Sequence, residues 1–150
     1  MNYSNTDTLN SLLSQIIRSH HTRAHMLFQK IGLSRGQPPI ISMLSEEDGL
    51  TQKEISEKLH LTPATITDTL QRMEKLEFLE RKPDSKDLRV TRVYLTEKGK
   101  ALQSEIIAIR NTIENDFFQG FTLEEKLLLR RFFLQIRDNI FKALDENPPQ

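Results

Sequence analysis

The chain contains no cysteine, only five glycines in 150 residues, and no surplus of either charge, with 21 Lys and Arg against 21 Asp and Glu. Each scarcity removes a class of function. Without a thiol there is no disulfide, no thiolate nucleophile, no cysteine-based metal site and no thiol redox sensor. So few glycines build no phosphate-cradling loop, and there is no HExxH zinc signature, so the chain offers none of the usual enzymatic machinery and implies no cofactor. No apolar run is long enough to cross a bilayer. The opening MNYSNTDTLN lacks the basic-then-apolar order of a signal peptide, and these two readings together predict a cytoplasmic protein. At 17.5 kDa the chain has room for one domain with a real core.

What is present is organised around residues 51–95. Thr51 and Glu54 have the spacing of a capping box, in which the hydroxyl accepts from the third backbone N–H and the carboxylate reaches back. Ile55 and Leu59 then share one helical face. A second start follows at Thr62-Pro63, with Pro at the first helical position, where its missing N–H costs nothing. Two starts eleven residues apart leave about two turns of helix and a tight corner, the helix-turn-helix spacing. In the second helix Ile66, Leu70 and Met73 form the apolar stripe, continued by Leu76. Its other face carries Ala64, Thr65, Asp68, Gln71 and Arg72, small and polar first and basic later, as a helix meeting a major groove requires. Many ordinary solvated helix faces have the same composition, so this face alone does not decide the matter.

The segment after it does. Residues 78–82 and 91–95 read as two strands around the charged, turn-forming PDSKDLR. So small a ribbon must pack on its neighbours, which leaves its tip projecting. A projecting tip with Lys86 and Arg89 suits the concentrated negative potential of a minor groove, and Asp87 is placed to hold the Arg89 guanidinium. Residues 81–100 hold seven Lys or Arg and three acids, net +4, whereas residues 101–150 hold six and eight, net −2. The neutral total therefore hides a basic wing.

The run Asp84-Ser85-Lys86-Asp87-Leu88-Arg89, followed by Leu95-Thr96-Glu97-Lys98-Gly99, resembles the signature of the MarR family of bacterial transcriptional regulators. The likeness extends over nearly the whole chain. It implies a homodimer that binds a pseudo-palindromic double-stranded DNA operator, usually as a repressor released by a small ligand. It maps Arg89 onto the minor-groove arginine, Asp87 onto its orienting partner, and Ala64, Thr65 and Asp68 onto recognition positions. Thr62, Thr67, Arg72 and Lys86 complete the expected DNA-binding set. Two residues depart from the pattern: Asp68, where an acid near DNA needs a cytosine amine or a neighbouring Arg, and Glu77, where the helix cap is usually Gly.

The flanking segments read as helices. Leu9, Leu12, Leu13, Ile16, Ala24, Leu27 and Ile31 follow the helical period across residues 8–31, and Gly32 ends the run. His20 lies within that stripe and is expected to point inward, either as a core histidine or as part of an effector pocket with Ile16 and Ala24; both readings stay open. His21 and His25 are four apart, but two ligands do not make a metal site. A short helix is expected over Arg35–Leu44, and long ones from Thr96 to near Gly120 and from Thr122 to about Leu144. On the last, Leu129, Phe132, Phe133, Ile136, Ile140 and Leu144 form one apolar arc, and Leu127, Leu134 and Phe141 a second. Two apolar faces call for a partner subunit.

The expectation is a mainly α winged helix-turn-helix, with six helices and a two- or three-stranded wing, forming an obligate homodimer through its terminal helices. One domain spans residues 1–150, with a DNA-binding lobe at 35–99 and dimerisation helices at 5–32 and 100–145. The effector, by default, is a small aromatic or amphipathic molecule. The rival reading is a winged-helix module that binds protein and not an operator, distinguished by the absence of salt-dependent DNA binding.

Overall fold

A computed structural model describes residues 8–146, with the side chain of Glu146 outside the description. Residues 5–7 of the expected first dimerisation segment lie outside the described residues. Six helices and three strands follow in the order α1 (Leu9–Gln29), α2 (Gln37–Glu46), β1 (Leu50–Thr51), α3 (Gln52–Leu59), α4 (Pro63–Lys75), β2 (Leu79–Pro83), β3 (Thr91–Leu95), α5 (Glu97–Phe118) and α6 (Leu123–Glu146). This is the expected winged helix-turn-helix.

The local signals explain the boundaries. Thr8 caps α1 by accepting from the N–H of Ser11. The α2 helix begins two residues later than Arg35, because Gly36 takes a left-handed conformation at φ 89° and the Gln37 carboxamide turns back to accept from the N–H of Ser34 at 2.8 Å. At Thr51 the capping box is complete, with Glu54 accepting from the Thr51 N–H at 2.7 Å and the Thr51 hydroxyl accepting from the Glu54 N–H at 3.2 Å. The Thr51 backbone N–H, and after it the Thr51 hydroxyl donating to the same carboxylate oxygen at 2.9 Å, hold the Glu54 carboxyl below the usual carboxylate range. The corner between α3 and α4 is closed by the Ser56 hydroxyl, which donates to Leu61 O at 2.6 Å.

Strand β3 is central in an antiparallel sheet of order β1-β3-β2. Its register sets Leu79 opposite Leu95 and Pro83 opposite Thr91, and it pairs Leu50 with Val93 on the other side. The inward side chains of the sheet, Leu50, Leu79, Val93 and Leu95, join Ile40, Ile41 and Leu44 of α2, Ile55 of α3 and Ile66, Leu70 and Met73 of α4 in one buried cluster. Each such side chain contributes about 1.5 to 3 kcal/mol on burial. The wing therefore rests on the helices it serves.

The chain divides into two compact units at Ile113 and Glu114. In the first, no residue of α1 is buried, and His20, which its place in the apolar stripe put inward, is exposed. Periodicity identified the apolar side of α1, but among the described residues that side is covered only towards its C-terminal end, where Ala24, Leu27 and Ile31 are half-buried and Leu9, Leu12, Leu13 and Ile16 stay exposed. In the second, no described α6 side chain is buried; Leu129 and Leu134 are half-covered. Thr122 and Glu125 cap α6 reciprocally, as their spacing predicts.

Candidate nucleic-acid interface

The N-terminal end of α4 is built from hydroxyls. Thr62 accepts from the Thr65 N–H at 3.3 Å, and the two hydroxyls lie 2.9 Å apart. Pro63, Ala64, Thr65 and Asp68 are exposed beyond them, and Gln71 and Arg72 continue the face. Asp68 meets the condition for an acid in this position, since Arg72 one turn on stands 3.7 Å from its carboxylate. Both side chains are more than half exposed, so the pair offsets a local repulsion without adding much stability. Thr67 differs from the others. It is half-buried, its hydroxyl donates to Pro63 O and accepts from the Gln52 carboxamide at the start of α3, and so it fixes α3 against α4.

The wing tip is a chain of carboxylate bonds. Asp84 Oδ1 accepts from the N–H groups of Lys86 and Asp87 at 2.7 and 3.0 Å, folding the turn, while Oδ2 accepts from Arg92 Nε. The same guanidinium donates to Gly49 O at 2.9 Å and lies 3.9 Å from Glu54, which ties the tip to the residue before β1 and to α3. Asp87 Oδ1 then accepts from Arg89 N and Nε, each at 3.0 Å, and Oδ2 from Nη2 at 3.0 Å. The Arg89 side chain is 90% exposed yet fixed at both ends of its fork. Lys86 is exposed and makes no ion pair among the described residues.

Asp87 is held below the usual carboxylate range, chiefly by the Arg89 guanidinium, and Asp84 is pushed down to about 2, first by Arg92 and then by the two backbone N–H groups. A carboxyl whose folded pKa lies below its ordinary 3.8 contributes stability that is fully present above pH 4 and is lost as pH falls through about 2. Wild-type stability should therefore decline over that interval. Asp84→Asn should reduce stability at neutral pH and flatten the decline, which thermal melts across the acid range would show. Parallel wild-type and variant profiles would mean that the Asp84 bonds do not hold the wing.

Sequence reasoning found Asp87 and Arg89 but missed Gln52, and it counted Arg92 only as charge. Asp84 had a readable signal, an Asp two and three residues before N–H groups in a turn segment. Arg92 reaches across 43 residues of sequence to Gly49, a pairing only the sheet register creates. The proposed effector residues are brought into no enclosed site. Ile16 and His20 are exposed and Ala24 is half-buried, and none of them lines the cavity of about 660 Å³ among Ser42, Met43, Lys58, Leu59 and Arg110. Among the described residues no three His, Asp or Glu groups are placed to hold a metal ion, and no helix is long and apolar enough to cross a membrane.

A helix-turn-helix with a presented, largely polar second helix and a fixed cationic wing defines the class of winged-helix DNA-binding transcriptional regulators. Residues 33–91 match the sequence profile of the MarR family. An uncharacterised HTH-type transcriptional regulator of Bacillus subtilis, YsmB, is 33% identical over 97 residues, a segment spanning 65% of this chain and 66% of that protein. A crystal structure of MarR superposes with a TM-score of 0.76 at 25% identity, covering 97% of this chain and 99% of that one. Staphylococcus aureus MepR, solved in a complex with DNA, has the same fold, with a TM-score of 0.78 at 22% identity, covering 91% of this chain and 99% of that one. The chain belongs to the MarR family and is a winged helix-turn-helix transcriptional regulator.

Proposed function

We propose that the protein binds a pseudo-palindromic operator as a homodimer, with α4 in the major groove and the wing in the flanking minor groove, and that it acts as a repressor relieved by a small aromatic or amphipathic ligand. The observation that carries the DNA reading is the wing tip: an arginine 90% exposed, held by two carboxylate oxygens, at the end of a turn pinned to the helix-turn-helix. Fixing an exposed guanidinium costs side-chain entropy that ion pairing in water hardly offsets. Delivery into a negative groove gives that fixed geometry its use. Thr62, Ala64, Thr65, Asp68 and Arg72 supply the major-groove surface, Lys86 a phosphate contact, and Thr67 the fixed relation between the two helices. The DNA-binding lobe then comprises residues 35–99.

Dimerisation is supported by the uncovered faces of the terminal helices. Phe132, Phe133, Ile136, Ile140 and Phe141 of α6 are each 43–55% exposed, and Leu9, Ile16 and Ile17 of α1 are exposed at 88, 48 and 48%. Patches of this kind on a lone chain promote aggregation, and a second copy buries them. Two recognition helices about 34 Å apart would then meet successive grooves. The effector site proposed at Ile16, His20 and Ala24 requires the same second copy to enclose it, and a ligand there would alter the helix separation.

Arg89→Ala tests the reading. Loss of a desolvated arginine contact should weaken operator binding about 10-fold or more with no loss of folding, and reduce the salt dependence by about one counterion. Gel-shift titrations in a salt series, using DNA from upstream of the protein's own gene, measure both. Unchanged affinity, or binding indifferent to salt, would favour a protein-binding role for the winged helix.

A further inference from the structure

Three large apolar side chains are exposed between residues 50 and 100: Leu61 at 39%, Leu76 at 42% and Leu88 at 80%. A solitary exposed leucine carries no message by itself. The place of Leu88 does. It stands at the outermost part of the wing, between Asp87 and Arg89, on backbone fixed from both sides. Asp84 holds the N–H of Asp87, Asp87 Oδ1 accepts from the N–H of Arg89, and the N–H of Val90 donates to Asp87 O at 2.9 Å. The turn thus presents the leucine beside the Arg89 fork, and the fold gains no burial from it.

A minor groove is a mixed surface. Its potential and floor attract cations, whereas its walls are deoxyribose rings that are largely apolar, and minor-groove proteins place apolar side chains there as well as arginines. We infer that Leu88 enters the minor groove with Arg89 and buries its isobutyl group against the sugar walls, giving the wing an apolar contact next to its charged one. This rests on the placement of the wing under Proposed function. It adds a contribution of different physical character. An apolar contact releases no counterions, so its strength is independent of salt, unlike that of Arg89.

The test uses the full chain and the duplex that the wild-type protein enriches from a random-sequence pool, with dissociation constants measured over a salt series. Leu88→Ala and Leu88→Gln should each weaken binding about fivefold, the effect of uncovering part of a leucine side chain, with log–log salt plots parallel to wild type. Leu88→Met should restore affinity to within about twofold, as an apolar side chain of similar volume should. Melting temperatures should not change, because the side chain is uncovered in the free protein. Wild-type affinity in Leu88→Gln, or a changed salt slope in either weakened variant, would overturn the inference. If Arg89→Ala weakens binding while the Leu88 variants do not, only the Leu88 contact fails. If Arg89→Ala has no effect, or no duplex is enriched, the wing reading falls and the inference with it.

Discussion

Phe141→Asp should convert the protein to a monomer or to aggregates, and any soluble monomer should have lost at least about 100-fold of its operator affinity, since tethering two half-site contacts is worth about 10² to 10⁴ in avidity. Phe141 is 53% exposed on α6, a helix with no buried side chain among its described residues. In the free chain an aspartate there meets water and leaves the fold intact. In a dimer the same carboxylate sits against apolar surface, where an unpaired charge costs several kcal/mol. Light scattering reports the mass, circular dichroism the retained helix, and gel shifts the affinity. A soluble dimer with wild-type mass would remove this face of α6 from the assembly.

Gly99→Ala should lower stability by roughly 3 kcal/mol, through a backbone collision that cannot relax locally. A Cβ built on Gly99 would lie 2.0 Å from Phe78 O and 3.1 Å from Leu95 Cδ2. The carbonyl cannot retreat cheaply, because Phe78 O accepts from the Thr96 N–H at 3.1 Å. Nor can the residue before it turn freely, since Glu77 already lies in the left-handed region at φ 60°, a conformation that costs a non-glycine residue about 1 kcal/mol. The last residue of the Leu95-Thr96-Glu97-Lys98-Gly99 run is therefore fixed by close approach: α5 starts where the chain leaving α4 passes. For a chain of this size the loss corresponds to about 6 to 12 °C in melting temperature. A midpoint within about 2 °C of wild type would show that α5 can back away without penalty.

The helix-turn-helix was legible because its signals are local. Thr51 with Glu54, and Thr62 with Pro63, mark starts that depend on atoms within four residues, and the structure shows both caps. The Asp87–Arg89 pair was legible for the same reason. The Arg92 bridge to Gly49 and the Gln52–Thr67 bond were not, because each depends on how elements distant in sequence pack. The two-residue β1 was too short to leave a pattern. His20 shows a different limit. Helical periodicity reports which side of α1 is apolar, whereas burial depends on what covers that side, and around His20 it is exposed.

Just beyond α4, the main-chain carbonyls of Leu76 and Glu77 are held by side chains from the start of α5. The Thr96 hydroxyl donates to Glu77 O at 2.6 Å, and Lys98 Nζ donates to Leu76 O at 2.8 Å. Every amino acid supplies such carbonyls, so the anchorage places no demand on the side chains of the outward face, and the inward face is committed to Ile66, Leu70 and Met73. Ala64, Asp68, Gln71 and Arg72 can thus be exchanged without loosening the helix. On the reading proposed for α4, retargeting to new regulatory sites is then a matter of a few codons, with the scaffold inherited unchanged.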